Sequence, residues 1–222
     1  MGEDLPRQGV INLTRIYLIT PPEFELQTLA QQLPAVLDAA DIACVQLRIK
    51  NKTTQDWERA IDTLMPICWS RDIAFILNDR VDLAKRFNAD GAHIGKDDMT
   101  YTMARSILGK DKIIGVSCYA SKDAAMDAAE AGADYVAFGA AFPSSTKETA
   151  PLVPMSVFED WVIAVKTPCV AIGGITAQNC VPLVQIGVEF VAVIGQVWNH
   201  ADGAVTGAKE LQKAIDQHKK TA

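Results

Sequence analysis

The run CVQLRIK, residues 44–50, begins apolar and ends in fixed positive charge. Gln46, Arg48 and Lys50 alternate with Val45, Leu47 and Ile49. Side chains on a strand alternate between faces, so the three polar groups share one face and the three apolar groups the other. A second apolar run, AFILNDR, closes in Asn78, Asp79 and Arg80, and a third, GAHIG, leads through His93 and Gly95 to Lys96, Asp97 and Asp98. If these two runs are neighbouring strands, Asp79 and Asp98 converge. Bare carboxylates about 4 Å apart repel by roughly 4 kcal/mol at a surface-like dielectric. A divalent cation removes that penalty, and magnesium favours one or two carboxylates together with substrate phosphates.

Further along, IIGVS ends in the hydroxyl of Ser117. The polar stretch FPSSTKETAPLVP carries Ser144, Ser145, Thr146 and the base Lys147. AIGGIT offers Gly173 and Gly174 before a helix expected to be capped by Thr176, and VIGQ offers Ile194 and Gly195. Glycines let backbone N–H groups approach a phosphate, and a helix N-terminus favours the anion.

Each feature also has a plainer reading. Strand-end bases can simply reach water. Asn78 or Asp79 can cap the helix that begins at Val81. His93, between apolar neighbours, reads as structural, and His200 and His218 as surface residues. No Ser-His-Asp arrangement and no lysine suited to a Schiff base on a central strand face is visible.

The elements that would position these groups are eight short β-rich runs: RIYLIT, CVQLRI, AFILND, GAHIG, IIGVS, YVAFGA, CVAIGG and FVAVIG. Amphipathic segments separate them. In SKDAAMDAAEAGA, Ala125, Ala128 and Ala129 share a face from which Lys122, Asp123, Asp127 and Glu130 are absent. Gly or Asn suited to ending a helix recurs at Asn88, Gly109, Gly132 and Gly187. Alternating β and α elements imply parallel strands with crossover helices, and eight units fit a closed (β/α)8 TIM barrel in the α/β class. A doubly wound sheet is the alternative, but no G-x-G-x-x-G follows the first strand. A single domain over 1–222 is expected, with an N-terminal extension at 1–14 and the barrel over about 15–218. Barrel sites lie at the carboxyl ends of the strands, with phosphate commonly held after strands seven and eight. The polar strand ends therefore ask for one phosphate at units seven and eight. They ask for a second, phosphate-rich and metal-bound group at units two to six. The loop containing Pro143, Ser144, Ser145 and Thr146 is the candidate lid.

Composition narrows the partners. Lys and Arg total 21 against 27 Asp and Glu, so the net charge of −6 disfavours nucleic acid. No apolar run approaches the length of a membrane span. The opening MGEDLPRQGV lacks the apolar core of a signal peptide, and Pro6 stands where a myristoylation signal wants Ser or Thr. Cys44, Cys68, Cys118, Cys169 and Cys180 show no C-x-x-C spacing, consistent with a reduced, cytoplasmic protein. A homo-oligomer stays open.

The ordered series VQLRIK, ILNDRVDLA, ADGAHIGKDD, IIGVSC, GADYVAFGAAFPSSTK, VAIGGIT and VAVIG resembles the thiamine phosphate synthases and their tautomerase-like TenI relatives. The resemblance runs from about Arg15 to beyond Gly195. It implies a TIM barrel transferase. One substrate is 4-amino-2-methyl-5-hydroxymethylpyrimidine diphosphate, the other 4-methyl-5-(2-phosphoethyl)thiazole or its carboxylated form. Pyrophosphate leaves, the family reaction being regarded as dissociative, and the thiazole nitrogen attacks the pyrimidine methylene. By motif position Gln46, Arg48, Lys50, Asn78, Ser117 and Lys147 resemble contacts to the pyrimidine diphosphate. Arg48, Lys50, Ser117 and Lys147 stand as the catalytic set. Asp79 and Asp98 resemble the Mg2+ ligands. Ser144, Ser145, Thr146, Gly174, Ile194 and Gly195 resemble thiazole-phosphate contacts.

The chain departs from the family pattern in several places. Ile49 replaces Glu, Lys96 replaces Gln, Ala140 replaces Pro, Ser144 replaces Thr and Gly195 replaces Ser. Cys118-Tyr119 replaces a pair that often ends in His. A thiazole tautomerase, another phosphosugar-type isomerase and a non-catalytic binder of phosphorylated thiamine precursors are the alternatives.

Overall fold

The computed structural model describes residues 14–95, 98–143 and 151–219. The eight apolar runs form β1 (Arg15–Ile19), β2 (Ile42–Leu47), β3 (Ala74–Asn78), β4 (Gly91–Ile94), β5 (Ile113–Tyr119), β6 (Tyr135–Gly139), β7 (Cys169–Ile172) and β8 (Phe190–Val193). Every neighbouring pair is parallel, and β8 returns to β1, so the sheet closes into a (β/α)8 barrel. The crossovers contain α1 (Leu26–Leu37), α2 (Thr54–Trp69), α3 (Val81–Arg86), α4 (Tyr101–Leu108), α5 (Lys122–Glu130), α6 (Met155–Ala164) and α7 (Val181–Ile186). A short α8 (Gly195–Trp198) and the long α9 (Ala204–His218) complete the ring. Of the expected N-terminal extension, only Thr14 lies within the described residues.

Two apolar layers follow from the strand alternation. Val45 and Leu47 of β2 face outward into the large core shared with the helices. Cys44 faces inward, joining Tyr17, Ile19, Ile76, Tyr135, Ala137, Val170 and Ala192 inside the barrel. The alanine face read from the sequence packs as expected: Ala125 and Ala128 of α5 are buried, and Ala129 packs against the same core. Gly187 ends α7 in the left-handed conformation. Thr176 departs from expectation. It lies in a turn, and α7 starts only at Val181 with Cys180 before it. Asn179 organises that turn instead, accepting from Thr176 N at 2.7 Å and donating to Gly174 O at 2.8 Å.

The amino-terminal end of the barrel carries a repeated device. An acidic residue immediately precedes each even strand: Asp41, Asp90, Asp134 and Glu189. Each reaches to the preceding odd strand. Asp41 binds the Arg15 guanidinium at 2.8 Å. Asp90 accepts from Phe75 N at 2.7 Å, Asp134 from Ile114 N at 2.7 Å, and Glu189 from Cys169 N at 3.0 Å. An amide in the first two residues of each of three strands thereby gains a charged acceptor, the stronger kind of hydrogen bond. Trp69 Nε1 adds a second donor to Asp90, and Arg105 adds one to Asp134.

Candidate active site

At the opposite end, the regular part of β2 stops at Leu47, two residues short of the expected strand. The chain nevertheless stays beside β1. The fully buried Thr20 hydroxyl accepts from Arg48 N at 3.0 Å and donates to Arg48 O at 3.3 Å. Arg48 is thus held by a side chain acting as a surrogate strand neighbour. Gln46, on the same inward face as Cys44, is buried at the top of the barrel interior, while Lys50 is exposed. Ile49 packs against the outer core, beside Phe24, Asp56 and Arg59. The alternation read from the sequence therefore holds from Gln46, inward, to Ile49, outward.

Asn78 and Asp79 do not cap the next helix. Arg80 occupies that position, without a side-chain cap bond. Instead, Asn78 Nδ2 donates to Asp79 Oδ2 at 2.6 Å. Asp79 adopts φ +62° and donates its backbone N–H to His93 O at 2.8 Å. Left-handed backbone in a non-glycine residue is uncommon outside functional sites and turns, although Asp tolerates it better than most. Asp98 folds back so that its Oδ2 accepts from Gly95 N at 2.8 Å. A Cβ on Gly95 would stand 2.6 Å from that same oxygen, so a larger residue there would push the Asp98 carboxyl away.

These two turns bring the carboxyls of Asp79 and Asp98 close enough to act on each other. Partial removal from water, then the neighbouring Asp98 carboxyl, push the Asp79 carboxyl up to about 6, while Arg48 pulls the other way. Arg48 also acts electrostatically on His93, so the base, the acid pair and the imidazole face one region. Among the described residues no third His, Cys, Asp or Glu joins the pair to make a larger metal-ligating group.

Ser117 lies lower in the mouth, 2.8 Å from His93 Nε2. The other ring nitrogen, Nδ1, lies 3.0 Å from Tyr135 Oη, which is 2.7 Å from Tyr17 Oη. His93 is buried as expected of a structural residue, but its ring turns inward and links the site to the barrel floor. Neither tyrosine stands out in the sequence as more than an apolar strand residue. One signal is present: Gly115, two residues before Ser117, where a Cβ would fall 1.9 Å from Tyr135 Cζ. The two other histidines are half-buried rather than free at the surface. His200 meets Glu210 at 3.0 Å, and His218 Nδ1 meets Ala214 O at 2.9 Å.

The glycines of β7 are required first by packing. Gly173 (φ +102°) and Gly174 (φ +64°) lie against the start of the β6–α6 connection, where a Cβ on Gly174 would stand 2.2 Å from Pro143 O. Ile194 precedes α8, and Gly195 opens it. The first amides of any helix lack intrahelical acceptors and are open to an anion. Gln196 ties this short helix in place, accepting from Ala177 N at 3.1 Å and donating to Gly207 O at 3.1 Å. Ser144, Ser145, Thr146 and Lys147 lie outside the described residues, as do most of the expected lid and Lys96.

A family model described as thiamine monophosphate synthase matches residues 16–197. A thiamine-phosphate synthase of Rhodospirillum centenum is 48% identical over 201 residues, covering 90% of this chain and 97% of the relative. One from Erythrobacter litoralis is 43% identical over 199 residues, covering 88% and 93%. The solved structure of a thiamine phosphate pyrophosphorylase from Pyrococcus furiosus superposes with a TM-score of 0.81 at 30% identity, covering 96% of this chain and all of that one.

Proposed function

The chain belongs to the thiamine monophosphate synthase family and is a transferase of that type, and from that premise we propose how its barrel mouth joins the aminopyrimidine diphosphate to the phosphoethyl thiazole. Arg48, Lys50 and Lys147 neutralise the departing pyrophosphate, the step in which most negative charge develops. Gln46, Asn78 and Ser117 hold the pyrimidine. Ser144, Ser145 and Thr146, with Gly174, Ile194 and Gly195, hold the thiazole phosphate and so set the ring nitrogen against the reacting methylene. No side chain need act as a covalent nucleophile.

Asp79 and Asp98 fit a hard divalent cation, Mg2+ in this reading. They form an oxygen-only pair whose carboxyls lie close enough to act on each other. Two protein carboxylates suit an ion that completes its shell with water and substrate phosphate. When bound, it would supply charge neutralisation for the pyrophosphate.

The observation that carries the reading is the Asp79–Asp98 contact with Arg48 acting on it, at the carboxyl ends of adjacent strands. Five free, buried cysteines support a reduced, cytoplasmic setting. No helix among the described residues is long and apolar enough to cross a membrane. The test is to incubate the purified protein with both substrates, with and without magnesium, and to quantify thiamine phosphate. Product that requires both substrates and the metal is expected. Folded protein that makes no product and binds neither substrate would refute the reading, and turnover of the thiazole alone would indicate a tautomerase.

A further inference from the structure

A buried polar chain crosses the barrel interior from Tyr17 on β1 through Tyr135 on β6 and His93 on β4 to Ser117 on β5. Its links are 2.7, 3.0 and 2.8 Å. The His93 and Tyr135 rings lie nearly parallel, 16° apart, with centroids at 5.6 Å. Gly115 clears the space that Tyr135 occupies. Four strands and one glycine are committed to this arrangement, and only Ser117 reaches the mouth.

Every member is uncharged. Burial pushes both tyrosine hydroxyls well above their ordinary range, and both nitrogens of the buried His93 ring face hydroxyls rather than a carboxylate that would hold it charged. A neutral imidazole has one donor and one acceptor, so the chain has two self-consistent directions. In one, Ser117 donates to His93 Nε2, Nδ1–H donates to Tyr135, and Tyr135 donates to Tyr17. The Tyr17 hydroxyl is then left with the Cys44 thiol, a weak acceptor, as its partner. In the other, Tyr17 donates to Tyr135, Tyr135 donates to the bare Nδ1, and Nε2–H donates to Ser117. There the Tyr17, Tyr135 and Nε2 protons each meet a strong acceptor, the weakly donating thiol ends the chain at the floor, and the Ser117 proton is left over for the mouth. The second direction avoids a poorly satisfied buried hydroxyl and is favoured.

We propose that His93, Tyr135 and Tyr17 are positioning residues that keep the Ser117 hydroxyl proton aimed into the mouth, so that the site selects a substrate presenting a hydrogen-bond acceptor there. This rests on the reading above, in which Ser117 holds the pyrimidine; the group it meets would then be an acceptor-only ring nitrogen and not the amino group, which also donates. A site built to donate rejects a group that also donates, because one of the two is left unpaired.

The direct test needs no turnover. In the 15N spectrum of the substrate-free protein, with the His93 signals assigned by their loss in His93→Asn, Nε2 carries the proton and Nδ1 is bare. A proton on Nδ1 overturns the proposal. In steady-state assays, Tyr135→Phe raises KM for the pyrimidine diphosphate about tenfold, the scale of one mispaired hydrogen bond, and leaves KM for the thiazole phosphate unchanged. It also mixes the two imidazole tautomers, which a purely structural tyrosine would not do. Equal effects on both KM values, or on neither, refute the positioning role. A protein with the Nε2–H tautomer but no synthase activity would refute the proposed reaction and leave the direction of the chain standing.

Discussion

The two ends of the barrel use carboxylates in opposite ways. At the amino-terminal end, Asp90, Asp134 and Glu189 each accept a backbone N–H from the preceding odd strand, and Asp41 takes the Arg15 guanidinium. At the mouth, Asp79 and Asp98 are turned toward each other, one through a left-handed backbone and the other through a turn closed on the Gly95 amide. The first arrangement lowers the energy of the fold. The second raises it, and does so where Arg48 and the polar strand ends gather. The same side-chain chemistry thus either ties strands together or gathers charge at the mouth, according to what faces it.

The comparison can be broken at several points, and the largest effect belongs to the mouth. Asp79→Ala and Lys147→Ala should each lower the rate of thiamine phosphate formation at least about a hundredfold, the scale for deleting one charge-stabilising group. Near-normal rates would remove these residues from the machinery. At the other end, Asp90→Ala orphans the Phe75 amide and should destabilise the protein by about 1–3 kcal/mol without changing kcat per folded molecule. Thermal unfolding reads the first part and active-site-normalised kinetics the second; a kcat defect would mean that the two ends are not separable.

The mouth should also reveal its strain through pH. Asp79 titrates near 6 in the folded protein and at about 3.9 in an unfolded chain. The folded state therefore binds the proton more tightly, so stability present at low pH is lost as pH rises through about 6. The full shift corresponds to about 3 kcal/mol, which solvent screening at this exposed position reduces to about 1 kcal/mol. With divalent cations chelated, Asp79→Asn should stabilise the protein by that amount near pH 8, and by nothing below about pH 4. Denaturant midpoints at the two pH values decide it; a destabilised variant at the higher pH would show that the acid pair is not strained.

The smallest effect is expected beside the mouth. Ile49→Glu places a carboxylate on the outer face, near Asp56 and Asp62 as well as Lys52 and Arg59. Stability should change by up to about 1 kcal/mol and the rate by no more than about twofold, as for a half-buried position outside the site. A large gain in rate would mean that this side chain serves the substrate after all.

Much of the barrel is legible in the order of residues. The eight strands, their closure and the inward set on β2 follow from alternation and element order, which local sequence expresses directly. The convergence of Asp79 and Asp98 is legible once their strands are taken as adjacent. Strand ends are less so: β2 stops early because Thr20, contributed by another strand's end, takes over as Arg48's partner. Thr176 does not cap a helix because it lies in a turn organised by Asn179, and α7 starts only at Val181. The Gly173-Gly174 pair reads as a phosphate signal, yet its backbone is already required by the chain around Pro143.

What the sequence determined alone is which side chains face inward and which strands are neighbours, since period-two alternation and parallel crossovers are local properties of the chain. What only the tertiary structure decided is which inward groups meet. Tyr17 and Tyr135 are 118 residues apart, on strands that are not neighbours, and touch because the closed barrel points both toward its axis. Alternation names a face but not a partner across it. That step requires closure, register and the space left by Gly115.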